Sequence, residues 1–254
     1  MSFVWDTTAL FWRYLTKLVR NPTLLVTNLA TPVLFLVLFS QMLGKLGVFP
    51  GVGGSFGAYL TPGILVMCSI MFTVQAGLSI VNDLNSGLLQ KLLVTQVRRG
   101  AILLGRLLTD SLMVMVSSVL VIFTAFVMGI RFVTGVPGIL MMLATAAFFG
   151  LAWAVIFLAI GLKTKSPESL SAIGSGVVFI LFFLSSAVFP TSIMPDWAQT
   201  FSAWNPVSYV ANAMRSTVQG GYDWHDFAMA YAMIAGMIAV AFAVALYQFR
   251  KTVR

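Results

Sequence analysis

The chain has 254 residues, of which 59% are hydrophobic and only 9% are charged, and its formal net charge is +8. A soluble domain is usually about 45–50% apolar and about 25% charged, so this composition excludes an ordinary soluble fold. One cysteine and one histidine also exclude an intramolecular disulfide, a zinc cage and a multi-histidine metal site, and we expect no bound metal.

Six apolar runs are long enough to span a bilayer, since a transmembrane helix needs roughly 20 mostly apolar residues. The runs are continuously apolar and do not alternate, which favours helices over a β-barrel. We therefore predict an all-α integral membrane protein with a single domain over 1–254 and spans at 24–43, 58–81, 107–130, 138–162, 170–189 and 228–248.

The segment 1–23 precedes the first span and predicts an amphipathic helix over residues 2–20. Its basic side carries Arg13, Lys17 and Arg20, and its apolar side carries Phe3, Leu10, Phe11, Tyr14, Leu15 and Leu18. Such a helix can lie in the membrane interface and have a gating role. A short helix that only covers the ends of the spans explains the pattern equally well.

The basic residues predict the orientation. Of the 15 Lys and Arg residues, twelve lie on the side of both termini, and the other side carries only Lys45, Arg131 and Arg215. The positive-inside rule then places both termini in the cytoplasm of a bacterial-type plasma or inner membrane.

The connection 82–106 between spans two and three is the longest on the cytoplasmic side. Its stretch LLQKLLVTQVRRGAILLGR at 88–106 predicts an amphipathic helix along the membrane, a turn at Gly100, and then entry into span three. Charge that sets the topology, together with packing of the leucines on lipid or on the N-terminal helix, is the alternative explanation.

Asp110 is the one carboxylate inside a predicted span. It follows Arg106 by four residues, so the two side chains can pair on one face of a helix near the membrane interface. A charge inside the bilayer needs a partner or water. We predict an interfacial ion pair, with a proton-relay role as the alternative.

The glycine clusters do not predict a nucleotide site. The stretch GVGGSFG at 51–57 lacks the last glycine of a dinucleotide motif, and Gly44-Lys45 is followed by Leu and has Phe39 where a P-loop needs glycine. No catalytic constellation is evident, so an enzyme is not expected.

Three stretches stand out in the sequence: VNDLNSGLLQKLLVTQVRRGAILLGRLLTD, LTPGILVM, and FPTSIMPDWAQTFSAWNPVSYVANAMR. Together they resemble the type-2 permeases of ABC transporters, especially those of daunorubicin-resistance-like multidrug exporters. The first departs from the family at Gln96, where proline is common. Its matching positions are Asp83, Gly87, Leu92, Leu93, Thr95, Val97, Arg98, Gly105 and Arg106, and those of the third stretch are Pro195, Trp197, Asn205, Pro206, Tyr209 and Arg215.

The resemblance implies a permease subunit that works as a homodimer or heterodimer with two ATP-binding subunits, which hold ATP and Mg²⁺. It implies a re-entrant extracytoplasmic segment at 190–227 and a coupling helix in the inner loop. The residues expected to serve the coupling are Asp83, Gly87, Leu88, Lys91, Leu92, Leu93, Thr95, Arg98, Arg99, Gly105 and Arg106.

The substrate expected from the resemblance is amphipathic or hydrophobic, drug-like or lipid-like, and is exported by alternating access. Polysaccharide or other cargo, or a secondary transporter, are the alternatives, and a nucleic-acid partner is not expected. Aromatic residues that could line the path are Phe72, Phe182, Phe183 and Phe189, although such residues more often face lipid or pack in the protein.

Overall fold

The computed structural model describes residues 3–44, 55–87 and 99–252, and the described part is all helical. The helices are α1 (Phe3–Val19), α2 (Pro22–Gly44), α3 (Phe56–Asn85), α4 (Arg99–Val127), α5 (Gly135–Thr164), α6 (Pro167–Phe183), α7 (Asp196–Trp204), α8 (Pro206–Gln219) and α9 (Trp224–Thr252), with a 3₁₀ turn at Thr191–Ile193.

Five of these helices are long and apolar enough to cross a membrane: α2, α3, α4, α5 and α9. The predicted span 170–189 corresponds to α6, which has 17 residues and ends at Phe183. The prediction of six full-length spans is therefore supported for five, and the fifth in chain order is a shorter helix. The carbonyls at its end are bound by the side chain of Asn205, in the segment that follows it.

Span three begins earlier than predicted. We placed its start at residue 107, but α4 begins at Arg99, and α3 continues to Asn85. The connection between the two helices is therefore residues 86–98, about half of the predicted loop 82–106. Gly100, predicted as a turn, lies inside the first turn of α4.

Helix α3 is the centre of the bundle. It has 30 residues, and 72% of its most apolar window is buried inside the protein, whereas the corresponding values are 11% for α2 and 22% for α9. Helix α3 packs against α2, α4, α5, α6 and α8. The peripheral helices α2 and α9 leave much of their apolar surface for lipid.

Small residues allow α3 and α5 to pack closely. A Cβ atom added at Gly77 would lie 2.5 Å from the carbonyl oxygen of Phe157, and one at Gly161 would lie 3.0 Å from the carbonyl oxygen of Gly77. Ser69 of α3 donates to the carbonyl of Ala146 at 2.9 Å. Close backbone approach at small residues and interhelical hydrogen bonds are typical of helix pairs in membranes.

The predicted N-terminal helix is present as α1, which packs mainly against α4 and reaches the end of α3 through Tyr14 and Lys17. Leu10 and Tyr14 are buried on its inner side. Trp5 and Trp12 are each 65% exposed on its outer side, where tryptophan is typical of a membrane interface. The helix thus lies over the ends of spans, as both interpretations allow, and its gating role stays a prediction.

Candidate functional site

Polar side chains from α1 and α3 meet where the two helices cross. Tyr14 Oη donates to Asp83 Oδ2 at 3.3 Å, and Lys17 Nζ donates to Asp83 Oδ1 at 3.5 Å. The side chain of Asp83 is 5% exposed and that of Lys17 is 54% exposed. Burial, and then the charge of Asp83, raises the pKa of Tyr14 to about 12. The phenol is therefore neutral and remains a hydrogen-bond donor at physiological pH.

Arg106 and Asp110 form a two-pronged ion pair along α4. Arg106 Nη2 lies 2.8 Å from Asp110 Oδ1, and Arg106 Nε lies 2.9 Å from Asp110 Oδ2. Both side chains are buried, with 7% and 2% exposed, so the pair lies inside the protein and not in interfacial water. The guanidinium carbon lies 5.5 Å from the centroid of the Tyr14 ring, which connects the pair to α1.

Gly105 lets α1 approach α4. A Cβ atom at this position would lie 2.9 Å from Leu10 Cβ and 3.1 Å from the carbonyl oxygen of Thr7. One turn farther along α4, Thr109 Oγ1 donates to the carbonyl of Gly105 at 2.9 Å and to that of Phe11 at 3.4 Å. Helix α1 is thus fixed to α4 at backbone distance.

Three residues predicted to serve the ATPase coupling contact α1 instead of lying free at the surface: Asp83, Gly105 and Arg106. Gly87 follows the end of α3 with φ of +69°, a conformation that glycine adopts without strain. The remaining predicted residues lie outside the described part of the chain, apart from Arg99, which begins α4 and of whose side chain nothing is described. They are Leu88, Lys91, Leu92, Leu93, Thr95 and Arg98, together with Val97 of the matched motif.

A polar cavity of about 180 Å³ lies beside this cluster, between α1, α3 and α4. It is lined by Tyr14, Lys17, Leu18, Asn21, Gln75, Leu78, Ser79, Asn82 and Arg106. Two lining residues are cationic and none is a carboxylate. Ser79 Oγ is buried and has no hydrogen-bond partner among the described residues.

An apolar groove of about 230 Å³ lies between α2, α3 and α6. It is lined by Asn28, Phe35, Met67, Met71, Val74, Gln75, Leu78, Ser171, Gly174, Ser175, Val178, Phe179, Phe182 and Phe183. Phe182 and Phe183 are thus the two predicted path residues that line it. Phe72 is 3% exposed and packs in the core, and Phe189 packs against that core, so neither lines the groove.

Arg215 organises the opposite end of the bundle. Its Nη2 donates to the carbonyl of Ser186 at 2.6 Å, its Nη1 donates to Asn212 Oδ1, and its Nε donates to the carbonyl of Tyr59 at 3.4 Å. The guanidinium carbon lies 3.7 Å from the centroid of the Tyr59 ring. Tyr59 Oη also donates to the carbonyl of Ser186 at 2.8 Å. This arginine joins α3, α8 and the segment that follows α6.

Asn205 explains why α6 ends early. Its Nδ2 donates to the carbonyls of Leu181 and Leu184 at 2.7 and 3.2 Å, while its Oδ1 accepts from the backbone N–H of Val207 at 3.0 Å. The side chain therefore satisfies carbonyls at the end of one helix and caps the start of another. Asn205 is 2% exposed, so the turn between α7 and α8 packs inside the protein, and the re-entrant course of 190–227 stays a prediction.

The other predicted residues of the outer segment have structural positions. Pro206 occupies the first turn of α8, where its missing N–H costs nothing. Tyr209 Oη donates to the carbonyl of Ala203 at 2.8 Å. Pro195 precedes α7, and Trp197 on α7 is 67% exposed.

Sequence reasoning missed several polar residues that hold these regions together. Ser208 Oγ accepts from the backbone N–H of Ser186 at 3.2 Å and lies 2.9 Å from Ser202 Oγ. Asn28 and Ser79 line the groove and the cavity. The available signal was small polar residues within strongly apolar segments, which bond across helices in membranes.

Comparison with known proteins places residues 6–219, from α1 to α8, in a match to the ABC-2 type transporter family model. Similar proteins include the daunorubicin resistance ABC transporter permease protein DrrB1 of Streptomyces coeruleorubidus, 28% identical over 229 residues that cover 90% of this chain and 80% of the relative.

The probable doxorubicin resistance ABC transporter permease protein DrrC of Mycobacterium tuberculosis is 29% identical over 210 residues, with 82% of this chain and 75% of the relative covered. A putative transport permease, ycf38 of Pyropia yezoensis, is 25% identical over 223 residues, with 84% and 74% covered.

Proposed function

Because this chain belongs to the ABC-2 type transporter family, we propose that it is the permease subunit of an ATP-driven exporter whose ATPase is a separate chain. The names of two relatives, which describe resistance to daunorubicin and doxorubicin, support an amphipathic or hydrophobic substrate. Polysaccharide or other cargo is the alternative within the family. The sequence has no P-loop, which agrees with an ATP-binding site in a partner subunit.

The observation that carries the proposal is the groove between α2, α3 and α6. It lies along the most buried helix of the bundle and is lined mainly by apolar and aromatic side chains, with a few polar groups. Ligand sites are typically concave and apolar with a few polar groups. We assign the groove to one half of the substrate path, which a second permease copy would complete.

The coupling to the ATPase is assigned to the loop between α3 and α4. The helices on both sides of this loop contact α1: Asp83 near the end of α3 through Tyr14 and Lys17, and Gly105 of α4 through Leu10. A displacement of the loop by the ATPase would therefore move α1, α3 and α4 together. Alternating access requires that the ATPase bind the two permease states with different affinity.

We assign the orientation from the distribution of basic residues, which favours a cytoplasmic position for α1 and the α3–α4 loop in a bacterial-type inner or plasma membrane. Both termini then lie on the same side as the ATPase. Arg215 and the turn between α7 and α8 lie at the extracytoplasmic end.

The test is co-purification with an ATPase encoded beside the chain's gene, followed by ATP hydrolysis and transport in vesicles. We expect Leu92→Asp with Leu93→Asp to abolish both ATPase binding and ATP-dependent transport, because carboxylates replace apolar side chains at the docking surface. Ser169→Asp is the matched control, since Ser169 is exposed at the start of α6 and lies outside the loop.

Intact ATPase binding and transport in the double variant would show that the loop is not the coupling element. Transport by the purified permease in the absence of any ATPase would contradict the proposed function and favour a secondary transporter.

A further inference from the structure

The polar cavity and the apolar groove are neighbours. Gln75 and Leu78, one turn apart on α3, line both of them. A ligand could therefore place one part in the cavity and another in the groove without leaving the surface of α3. The two spaces together form one composite site with a polar end and an apolar end.

The lining of α3 changes in polarity along this composite site. Asn82 and Ser79 face the cavity, Gln75 lies at the junction, and Met71 and Met67 face the groove. With a rise of 1.5 Å per residue, the fifteen residue steps from position 82 to position 67 correspond to about 22 Å. This length suits a ligand with a compact polar head and an extended or planar apolar body.

The donors around the cavity favour an anionic head. Lys17 and Arg106 line the cavity, whereas their ion-pair partners Asp83 and Asp110 do not line it. An ammonium group carries three N–H donors and a guanidinium five, so donors remain on both side chains beyond those that the two carboxylates accept. A phosphate or carboxylate there would gain charge-assisted hydrogen bonds, whereas a cationic head would meet no carboxylate in the lining.

Two buried donors also favour a ligand that carries hydrogen-bond acceptors. Ser79 Oγ in the cavity and Asn28 Nδ2 in the groove are buried and have no hydrogen-bond partner among the described residues. Buried polar groups are usually satisfied by protein, water or ligand. A ligand oxygen would satisfy the serine at the polar end of the composite site.

We propose that this composite site binds an anionic amphipath, with its phosphate or carboxylate head between Lys17, Ser79 and Arg106 and its apolar part along the groove. The inference rests on the proposed function, in which the groove belongs to the substrate path. It narrows the substrate class to molecules with a negative head, such as an anionic lipid.

Binding is tested with the full-length permease, purified in a neutral detergent, by native mass spectrometry. The probes are phosphatidic acid, phosphatidylcholine and a cationic trimethylammonium lipid, all with the same acyl chains. We expect phosphatidic acid to bind about tenfold more tightly than the other two, which corresponds to one charge-assisted hydrogen bond.

Two variants locate the site. Lys17→Gln removes a half-exposed charge, and Ser79→Leu fills the cavity, so each should weaken phosphatidic acid binding about tenfold. Arg20→Gln is the matched control because Arg20 is an exposed cation close to Lys17 that does not line the cavity. Size-exclusion chromatography checks the folding of Ser79→Leu, and Lys17→Gln keeps the test decisive if that variant misfolds.

Equal binding of the three lipids, or loss of the preference in Arg20→Gln as large as in Lys17→Gln, would overturn the inference. Displacement of the lipid by an equal concentration of inorganic phosphate would also overturn it, because the groove would then contribute nothing. If ATPase-dependent transport is present without this lipid preference, the permease function stands and only the substrate class falls. If the preference is found but transport does not depend on an ATPase, the lipid site stands and the proposed function falls.

Discussion

Each end of the bundle holds an arginine away from full solvent, Arg106 buried and Arg215 partly buried, and the two are balanced in different ways. Arg106 forms an ion pair with Asp110, four residues along its own helix. Arg215 forms no ion pair with any described carboxylate; it donates to the carbonyls of Tyr59 and Ser186 and to the side chain of Asn212.

The two arginines therefore differ in where their partners lie in the chain, which is nearby for Arg106 and mostly distant for Arg215. The partner of Arg106 is supplied by the same turn of α4, so the charge is neutralised wherever α4 forms. Apart from Asn212 on its own helix, the partners of Arg215 come from α3 and the segment after α6, so these are in place only in the folded bundle. A buried charge without partners is strongly unfavourable. We therefore expect substitution of Arg215 to weaken the packing between distant segments, and loss of the Asp110 charge to destabilise the protein because Arg106 is left without a counter-charge.

The largest expected effect is the loss of the Arg106 counter-charge. In Asp110→Leu the guanidinium stays buried without a carboxylate, and we expect a destabilisation of about 3–5 kcal/mol. Thermal unfolding of the purified protein in detergent measures it.

The control removes both charges at once. Arg106→Met with Asp110→Leu should be within about 1–2 kcal/mol of the wild type, because replacing a buried ion pair by apolar residues is often neutral. A double variant as unstable as Asp110→Leu would mean that Arg106 is held by its contact with Tyr14 and not by the pair.

Substitution of Arg215 tests its hydrogen bonds to distant parts of the chain. Arg215→Met removes hydrogen bonds to the carbonyls of Ser186 and Tyr59, and we expect a loss of about 2–3 kcal/mol with increased proteolysis between α6 and α8. Arg131→Gln is the control, because Arg131 is exposed at the same end. Equal proteolysis of the two variants would contradict the joining role of Arg215.

Gly63 and Gly105 each allow close packing, and substituting them compares how rigid their surroundings are. A Cβ at Gly63 would overlap the backbone carbonyl of Ala187, whereas the contacts of a Cβ at Gly105 with α1 are longer, 2.9 Å to Leu10 Cβ and 3.1 Å to two backbone atoms. We expect Gly63→Ala to cost about 1–3 kcal/mol and Gly105→Ala less, in the same unfolding assay. Gly176→Ala on α6 has no atom within 4 Å and should be near neutral. The opposite order of the first two would mean that α1 is the more rigid support.

The features that could be predicted from sequence are those that depend on short spacing. The amphipathic pattern of α1 and the four-residue spacing of Arg106 and Asp110 are local, and both appear in the structure. The early end of α6 depends on Asn205, which lies 21 and 24 residues after the carbonyls that it binds. Spacing alone carries no information about such a contact.

The candidate site also combines features set by short spacing with contacts between residues distant in the chain. Asp83 was singled out for its place near the inner loop, but its partners Tyr14 and Lys17 lie 69 and 66 residues earlier. The resemblance predicts that Phe72, Phe182, Phe183 and Phe189 line a substrate path; two of them, Phe182 and Phe183, line the groove, and the path itself stays a prediction. The contribution of Asn28 and the junction at Gln75 depend on how α2 and α6 flank α3, which only the three-dimensional structure defines.

The smallest expected effect is at Tyr14, whose uncharged hydroxyl donates from α1 to Asp83 of α3. Tyr14→Phe should cost about 1 kcal/mol at neutral pH, the typical value of one hydrogen bond. Because the pKa of Tyr14 is raised from 10.0 to about 12 in the folded protein, the neutral phenol contributes its stability in full below pH 10, and this contribution is lost as the pH rises from 10 to about 12. Unfolding measured across that window should therefore show a steeper loss for the wild type than for Tyr14→Phe. The control is Tyr222→Phe, at a position that is 38% exposed, which should keep the steep pH dependence of the wild type. Equal slopes of unfolding free energy against pH in the wild type and Tyr14→Phe would mean that the Tyr14–Asp83 contact does not hold α1 in place.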